Sequence, residues 1–178
     1  MPLSPPSVPT WPVGGAMTAA WINTNIRDAI TFLANPPLGV FTSTSAQTLA
    51  NNTWTSIAFN ATTVDTYNGH SNSTNNTRYT AQVAGYYELS GGLAFVPNAS
   101  GTRNAMWGVN GTRIQKTGGG NDIGSSANDN PATPNTHQVF LNVNDYVELF
   151  GLQLSGGNLN TQNTGDFGCM MCVRWVHA

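Results

Sequence analysis

Cys169 and Cys172, in the stretch FGCMMCVRW, are the first groups in this sequence whose types and spacing could do chemistry. A CxxC pair exchanges disulfides or binds zinc when it sits in a turn or at a helix start, where both sulfurs aim at one place. Here it lies in an apolar, strand-forming run that ends in Val173, Trp175 and Val176. Residues three apart in a strand face opposite sides, with Cα atoms about 10 Å apart, beyond disulfide reach. The pair therefore reads as two free thiols, one in the core and one outside it. His177 would supply a third ligand, but no second Cys/His pair closes a zinc site, and no metal is expected.

Other chemically suggestive sets are no better placed. Asp145 and Glu148 lie three apart, where strand alternation sends them to opposite faces, so they form no obvious acid/base pair. Ser125, Ser126, Asp129 and His137 have the residue types of a nucleophilic triad, yet nothing in their spacing fixes a geometry. Gly118-Gly119-Gly120 lacks the lysine and the following helix of a phosphate loop and reads as a flexible loop tip. The sequence thus predicts no catalytic residue and no cofactor. Sequons at Asn51, Asn60, Asn72, Asn75, Asn98 and Asn110 are read as by-products of an Asn- and Thr-rich chain.

Composition narrows the partners. At 178 residues the chain is long enough for one domain with a core plus an appendage. Charged residues make up 8%, the formal net charge is −2, and Lys116 is the single lysine. No basic face exists to neutralise nucleic-acid phosphates or anionic lipid, so neither partner is expected. The opening MPLSPPSVPTWPVGG places prolines where a signal peptide needs a continuous apolar stretch. The expectation is synthesis in the cytoplasm without Sec-type export. No run approaches the roughly 20 apolar residues of a membrane helix, so the chain is expected to be soluble or part of an assembly.

The elements that position these residues fall into two parts. Residues 1–16 are a Pro/Gly-rich arm with Trp11, near Pro9 and Pro12, as its large apolar group. A helix follows within MTAAWINTNIRDAITFLANPP, with Thr18 as N-cap and Asn35-Pro36-Pro37 as its stop. Ile22, Ile26, Ala29, Ile30 and Leu33 recur at the spacing of one helical face, and Trp21 and Phe32 widen it. Arg27 and Asp28 take the other side. A helix of roughly sixteen residues is barely stable alone, so this stripe must be buried, either on the chain's own sheet or on a partner.

From Val40 the pattern changes to short alternating runs separated by turn residues. TWTSIAF alternates Trp54, Ser56 and Ala58 against Thr55, Ile57 and Phe59. YYELSGGLAFV places Tyr87, Leu89, Leu93 and Phe95 on one face. NAMWGVNGTRI carries the Asn110-Gly111 hairpin signal. HQVFLNVNDYVELFGLQL reads as two strands, Val139/Leu141/Val143 and Val147/Leu149, joined by a tight turn at Asn144-Asp145. Many short strands with no helix between them predict an all-β antiparallel sandwich or barrel. Segments 60–78, 97–103 and 117–135 read as its long loops. The domain reading is 1–37 for the arm and helix and 38–178 for the β-domain.

TWTSIAFN, VAGYYELSGGLAF, SGTRNAMWGVNGTRI, FLNVNDYVEL and QLSGGNL stand in an order and at spacings that resemble the globular heads of the complement and tumour-necrosis-factor superfamily. That resemblance implies a ten-strand jelly roll that forms trimers. It carries neither a collagen-like stalk nor a clear set of calcium-binding carboxylates. By alternation, Tyr86, Glu88 and Ser90 leave the sandwich on one strand, and Met170, Cys172 and Arg174 leave it on the closing strand. In the superfamily those two strands are neighbours in the sheet facing the threefold axis. The resemblance thus implies a trimer interface built from these six residues, with Glu88 and Arg174 meeting at or across a subunit boundary.

A second resemblance is carried by WPVGGAMTAAWINTNIRDAITFLANPP, which is similar to the opening of small structural proteins of tailed bacteriophages of actinobacteria and their relatives. It implies a virion structural protein on the particle surface, with the arm and helix as attachment module and the jelly roll as a displayed homotrimeric knob. The anchor would use Trp11, Trp21, Ile22 and Ile26, then Arg27, Asp28, Ile30 and Leu33. A tail-associated position, as a minor tail or receptor-contacting protein, is preferred over capsid decoration or a head fibre. Partners would be other virion proteins and a host-surface receptor or glycan. An extracellular lectin-like or signalling trimer of a cell is the further alternative.

Overall fold

The structure, a computed structural model, describes residues 5, 7, 9–10, 13–122, 130–163 and 166–178. Trp11, Ser125, Ser126 and Asp129 lie outside the described residues. Thr18 opens the helix in extended conformation, its Oγ1 accepting a hydrogen bond from the Trp21 N–H at 3.2 Å. An α-helical turn, α1 (Ala19–Ile22), runs into a π-helical stretch (Asn23–Arg27) and then α2 (Asp28–Ala34), with helical dihedrals held at both joints. The one helix that the spacing predicts is present, with a π-helical stretch in its middle. Asn25 donates from Nδ2 to the Trp21 carbonyl at 3.0 Å, and Thr31 donates from its hydroxyl to the Arg27 carbonyl at 2.8 Å. Side chains that compete for helix carbonyls bend or widen the rod in this way.

From Leu38 onward the described residues form strands and turns. The first sheet runs β4 (Ala61–Asp65), β1 (Leu38–Thr42), β14 (Met170–His177) and β6 (Gly85–Phe95). On the far side of β6 lie β11 (His137–Leu141) along its first half and β10 (Asn130–Ala132) along its second. The second sheet is built on β12 (Tyr146–Gln153). This strand pairs β3 (Thr55–Ser56) and β5 (Arg78–Thr80) on one side and β7 (Thr102–Val109) on the other. β7 in turn pairs β8 (Thr112–Arg113) and β9 (Gly119–Asp122). A two-stranded ribbon, β2 (Thr48–Leu49) with β13 (Leu159–Asn160), lies beside them. Every pairing is antiparallel and, apart from the β7–β8 hairpin, joins strands that are not consecutive in sequence, so the expected jelly-roll sandwich is the observed fold.

Period-two alternation decides what fills the space between the sheets. Phe41, Tyr87, Leu89, Phe95, Met171 and Val173 come from the first sheet and are buried. Trp107, Ala105, Val147, Leu149 and Tyr79 come from the second, with Ile57, Phe59 and Leu49 closing the sides. Each large apolar side chain buried here contributes about 1.5–3 kcal/mol. Two buried polar tips find backbone partners: Tyr87 donates its hydroxyl to the Val83 carbonyl at 2.7 Å, and Trp107 donates Nε1–H to the Asn135 carbonyl at 3.0 Å.

Three readings change. The long segments 60–78 and 117–135 hold strands β4, β9 and β10. The three glycines are not a loop tip, because Gly119 and Gly120 lie in β9 against neighbouring backbone. A Cβ on Gly119 would come within 2.0 Å of the Thr133 carbonyl oxygen, and one on Gly120 within 2.2 Å of the Arg103 oxygen. The glycines are there for close approach. The Asn144-Asp145 turn, with Asn144 at φ 74°, carries the chain from β11 in the first sheet to β12 in the second, and Val143 is exposed on it rather than continuing the core face.

Candidate assembly surface

The outer face of the first sheet is organised in rows across the strands. Glu88 on β6 stands opposite Arg174 on β14, which stands opposite Leu38 on β1. The next row is Ser90, Cys172 and Val40, and the next Gly92, Met170 and Thr42. Tyr86 faces Phe140 of β11. Directly opposed residues share a face, so Tyr86, Glu88, Ser90, Met170, Cys172 and Arg174 all lie on the side turned away from the core.

An aromatic cluster marks one end of this face. The Tyr86 ring meets Phe140 edge-on at 5.3 Å between centroids and stacks on His177 at 4.6 Å. Tyr86 and Phe140 are nevertheless 39% and 45% exposed. Sequence reasoning missed Phe140 and His177. The available signal was parity: Val139 and Leu141 were assigned inward, which leaves the aromatic between them facing out.

Glu88 and Arg174 do meet, but inside one chain. Arg174 Nη2 is 3.0 Å from Glu88 Oε1 across the β6–β14 ladder. The two charges neutralise each other, so these rows carry no net repulsion toward another copy of themselves. Cys169 is buried, and desolvation pushes its thiol above the ordinary range, away from a reactive thiolate. Cys172 is half-buried on the opposite face of the same strand, as the spacing requires.

The helix makes a second surface. Phe32 is fully buried, edge-on to Trp175 at 4.9 Å and to Tyr67 at 6.4 Å, in a small cluster with Val83 apart from the main core. Trp175 is fixed there by donating Nε1–H to the Ala84 carbonyl and its backbone N–H to the Pro37 carbonyl. Ile22, Ile26, Ile30 and Leu33 are exposed, Leu33 at 68%, so the stripe does not pack on the chain's own sheet. Trp21 is half-buried, and Arg27 pairs with Asp28 at 2.8 Å on the surface of the rod. The rod is pinned to the head through its last turn, with an apolar ridge turned outward.

Asp145 and Glu148 are both engaged in hydrogen bonds within the chain. Asp145 accepts from the Asn110 amide at 2.8 Å and from the Asn142 N–H at 2.7 Å, clasping two turns together. Glu148 is buried and accepts from the Thr77 hydroxyl at 2.9 Å. His137 is half-buried within β11. Among the described residues the molecule presents one apolar helix ridge and one charge-balanced sheet face that carries the Tyr86 and Phe140 rings.

No family model and no curated protein matches the sequence. Solved structures match the fold. The globular domain of zebrafish complement 1qA protein aligns with a TM-score of 0.55 at 11% identity, covering 79% of this chain and 98% of that one. Murine APRIL at pH 5.0 aligns at 0.59 and 10% identity, with 79% and 98% covered, and Eiger TNF from S. frugiperda at 0.55 and 11%, with 80% and 95% covered. At these identities the likeness is one of fold, and the β-domain has the jelly roll of the complement and tumour-necrosis-factor type.

Proposed function

We propose that the chain is a non-enzymatic virion structural protein of a tailed bacteriophage, made in the host cytoplasm. It works as a homotrimeric surface knob: residues 1–37 attach it to the particle and the jelly roll 38–178 is displayed. The carrying observation is a helix whose Phe32 is embedded in the head while Ile22, Ile26, Ile30 and Leu33 stay exposed among the described residues. An apolar ridge of this kind calls for a partner, another virion protein or another subunit. The phage-like opening segment supports the virion, with a tail-associated position preferred over capsid decoration or a head fibre. The complement- and TNF-type fold supports the trimer, and the aromatic group at Tyr86 and Phe140 suits a copy-to-copy contact.

The test uses the full chain. Ile26→Asp with Ile30→Asp alters exposed positions, so the fold and oligomer should persist while incorporation into particles is lost. Tyr86→Ser with Phe140→Ser should instead yield a folded monomer. Particles that still carry the first variant would overturn the anchor, and an unchanged sedimentation coefficient for the second would overturn the trimer face. Counting copies per particle separates the sites, since hundreds mean capsid and a handful mean tail. The likeness to APRIL and Eiger TNF favours one second reading, an extracellular signalling trimer of a cell. Absence of the chain from purified particles would select it.

A further inference from the structure

A cleft of about 720 Å³ opens on the outer face of the first sheet at the end away from the helix. Its position follows from strand direction. β14 runs from Met170 in the cleft to Trp175 against Phe32, five residues or about 17 Å. β6 runs the opposite way, from Gly85 at the helix end to Gly91 and Gly92 in the cleft wall. Its volume falls within the range of small-ligand sites.

The lining decides what would fit. Ser90, Thr133 and Thr136 bring hydroxyls, Asp166 a carboxylate, and Asn163 an amide whose Nδ2 also donates to the Thr44 carbonyl at 2.9 Å, while the Ser43 hydroxyl donates to the Ala58 carbonyl. Phe167 stands half-exposed at the same cleft, with Met170 beside it as the second apolar contact. No lysine or arginine lines it, so a phosphate, sulfate or other anion finds no countercharge. A peptide strand is equally poorly served, because β6 pairs with β14 at Ser90, Gly91 and Gly92 and with β10 at Leu93 and Ala94, which leaves no run of free strand edge longer than three residues. Hydroxyls that donate and accept, a carboxylate able to accept from two adjacent O–H groups, and an exposed ring for an apolar C–H face suit an uncharged polyol.

We propose that this cleft binds a neutral saccharide, with Asp166 and Asn163 holding ring hydroxyls and Phe167 stacking on the sugar face. That the site points outward from the particle rests on the anchoring described under Proposed function. Ser90 and Met170 also belong to the assembly face. The cleft therefore opens at the rim of a contact centred on Tyr86 and Phe140, about 20 Å along β6 from Gly92.

The experiment is amide chemical-shift titration of the isotope-labelled full chain with methyl glycosides of glucose, galactose, mannose and N-acetylglucosamine, and with N-acetylneuraminic acid as the anionic comparison. Saturable shifts at Gly91, Gly92 and Gly168 are expected with at least one neutral sugar. Phe167→Ala and Asp166→Asn, both at exposed positions, should each weaken binding roughly tenfold with the rest of the spectrum unchanged. No saturable shift with any neutral sugar, shifts that survive both substitutions, or tighter binding of N-acetylneuraminic acid would overturn the proposal. The readout needs no particle. Saccharide binding by a chain absent from virions would sink the knob and leave the cleft, whereas a virion chain with no shifts would sink the cleft alone.

Discussion

Arg174 and Glu88 stand directly opposite on β14 and β6, with Nη2 and Oε1 3.0 Å apart. Within one chain their side chains are 57% and 31% exposed, so the pair is worth at most about 1 kcal/mol there. Coverage by a second copy changes that, because removing one partner would strand a desolvated charge. A double-mutant cycle on dissociation of the proposed trimer, with Glu88→Gln and Arg174→Met, is therefore expected to show each single change weakening association more than the double change does. Additive effects would put the subunit boundary elsewhere.

Gly111 has φ 77° and follows Asn110 at φ 51°, the two-residue turn that NG predicted between β7 and β8. A Cβ on Gly111 would meet nothing nearer than the Tyr146 hydroxyl at 3.5 Å, so a substitution here tests the backbone alone. Gly111→Val should cost about 1–3 kcal/mol and lower the melting temperature by several degrees. Gly111→Asn should lose much less, since Asn tolerates this conformation. Equal melting temperatures for wild type and the valine variant would exclude the turn.

How much of this was readable follows from which physical rule was local. YYELSGGLAF and CMMCVRW could be assigned face by face, because a strand half-buried on one side has a strict period of two. Their partnership as β6 and β14 came from resemblance and not from pattern. The helix was visible in the spacing of Ile22, Ile26, Ile30 and Leu33, but the π stretch was not, since it depends on how Asn25 and Thr31 spend their hydrogen bonds. Gly119 and Gly120 misled because glycine marks turns and close backbone approach alike. The cleft was invisible: Ser43, Ser90, Thr136 and Phe167 lie far apart in sequence and meet only through sheet topology.

Asp145 gives a pH prediction with a definite sign. The Asn110 side chain first, then the Asn142 N–H, hydrogen-bond its charged form and hold the carboxyl below its ordinary value. A folded-state value below the unfolded one means stabilisation that is complete above about pH 3.9 and is lost as pH falls through the folded-state value. Asp145→Asn should therefore be less stable than wild type at neutral pH, by an amount that shrinks only in the acid range below about pH 4. A gap that stays constant down to full protonation would mean that the carboxylate is not what clasps the two turns.

Phe32 is where the helix depends on the head. Its ring is buried against Trp175, Tyr67 and Val83, a cluster separate from the core between the sheets except that Trp175 packs on both. Truncating a fully buried Phe typically removes about 3–5 kcal/mol, but here the loss should fall on the attachment of the rod rather than on the sandwich. Phe32→Ala is therefore expected to raise amide hydrogen exchange sharply over 19–34 while the strands of both sheets keep their protection. Trp175 fluorescence should shift to the red as its edge-on partner is replaced by water. Phe32→Leu, which refills most of the volume, should recover much of both signals. The helix has too few residues to hold itself in water once released, so its far-ultraviolet helical signal should also fall. Helix amides that stay protected in Phe32→Ala would show that the rod is held by its outward ridge already, in a self-association of Ile22, Ile26, Ile30 and Leu33 that needs no seat on the head.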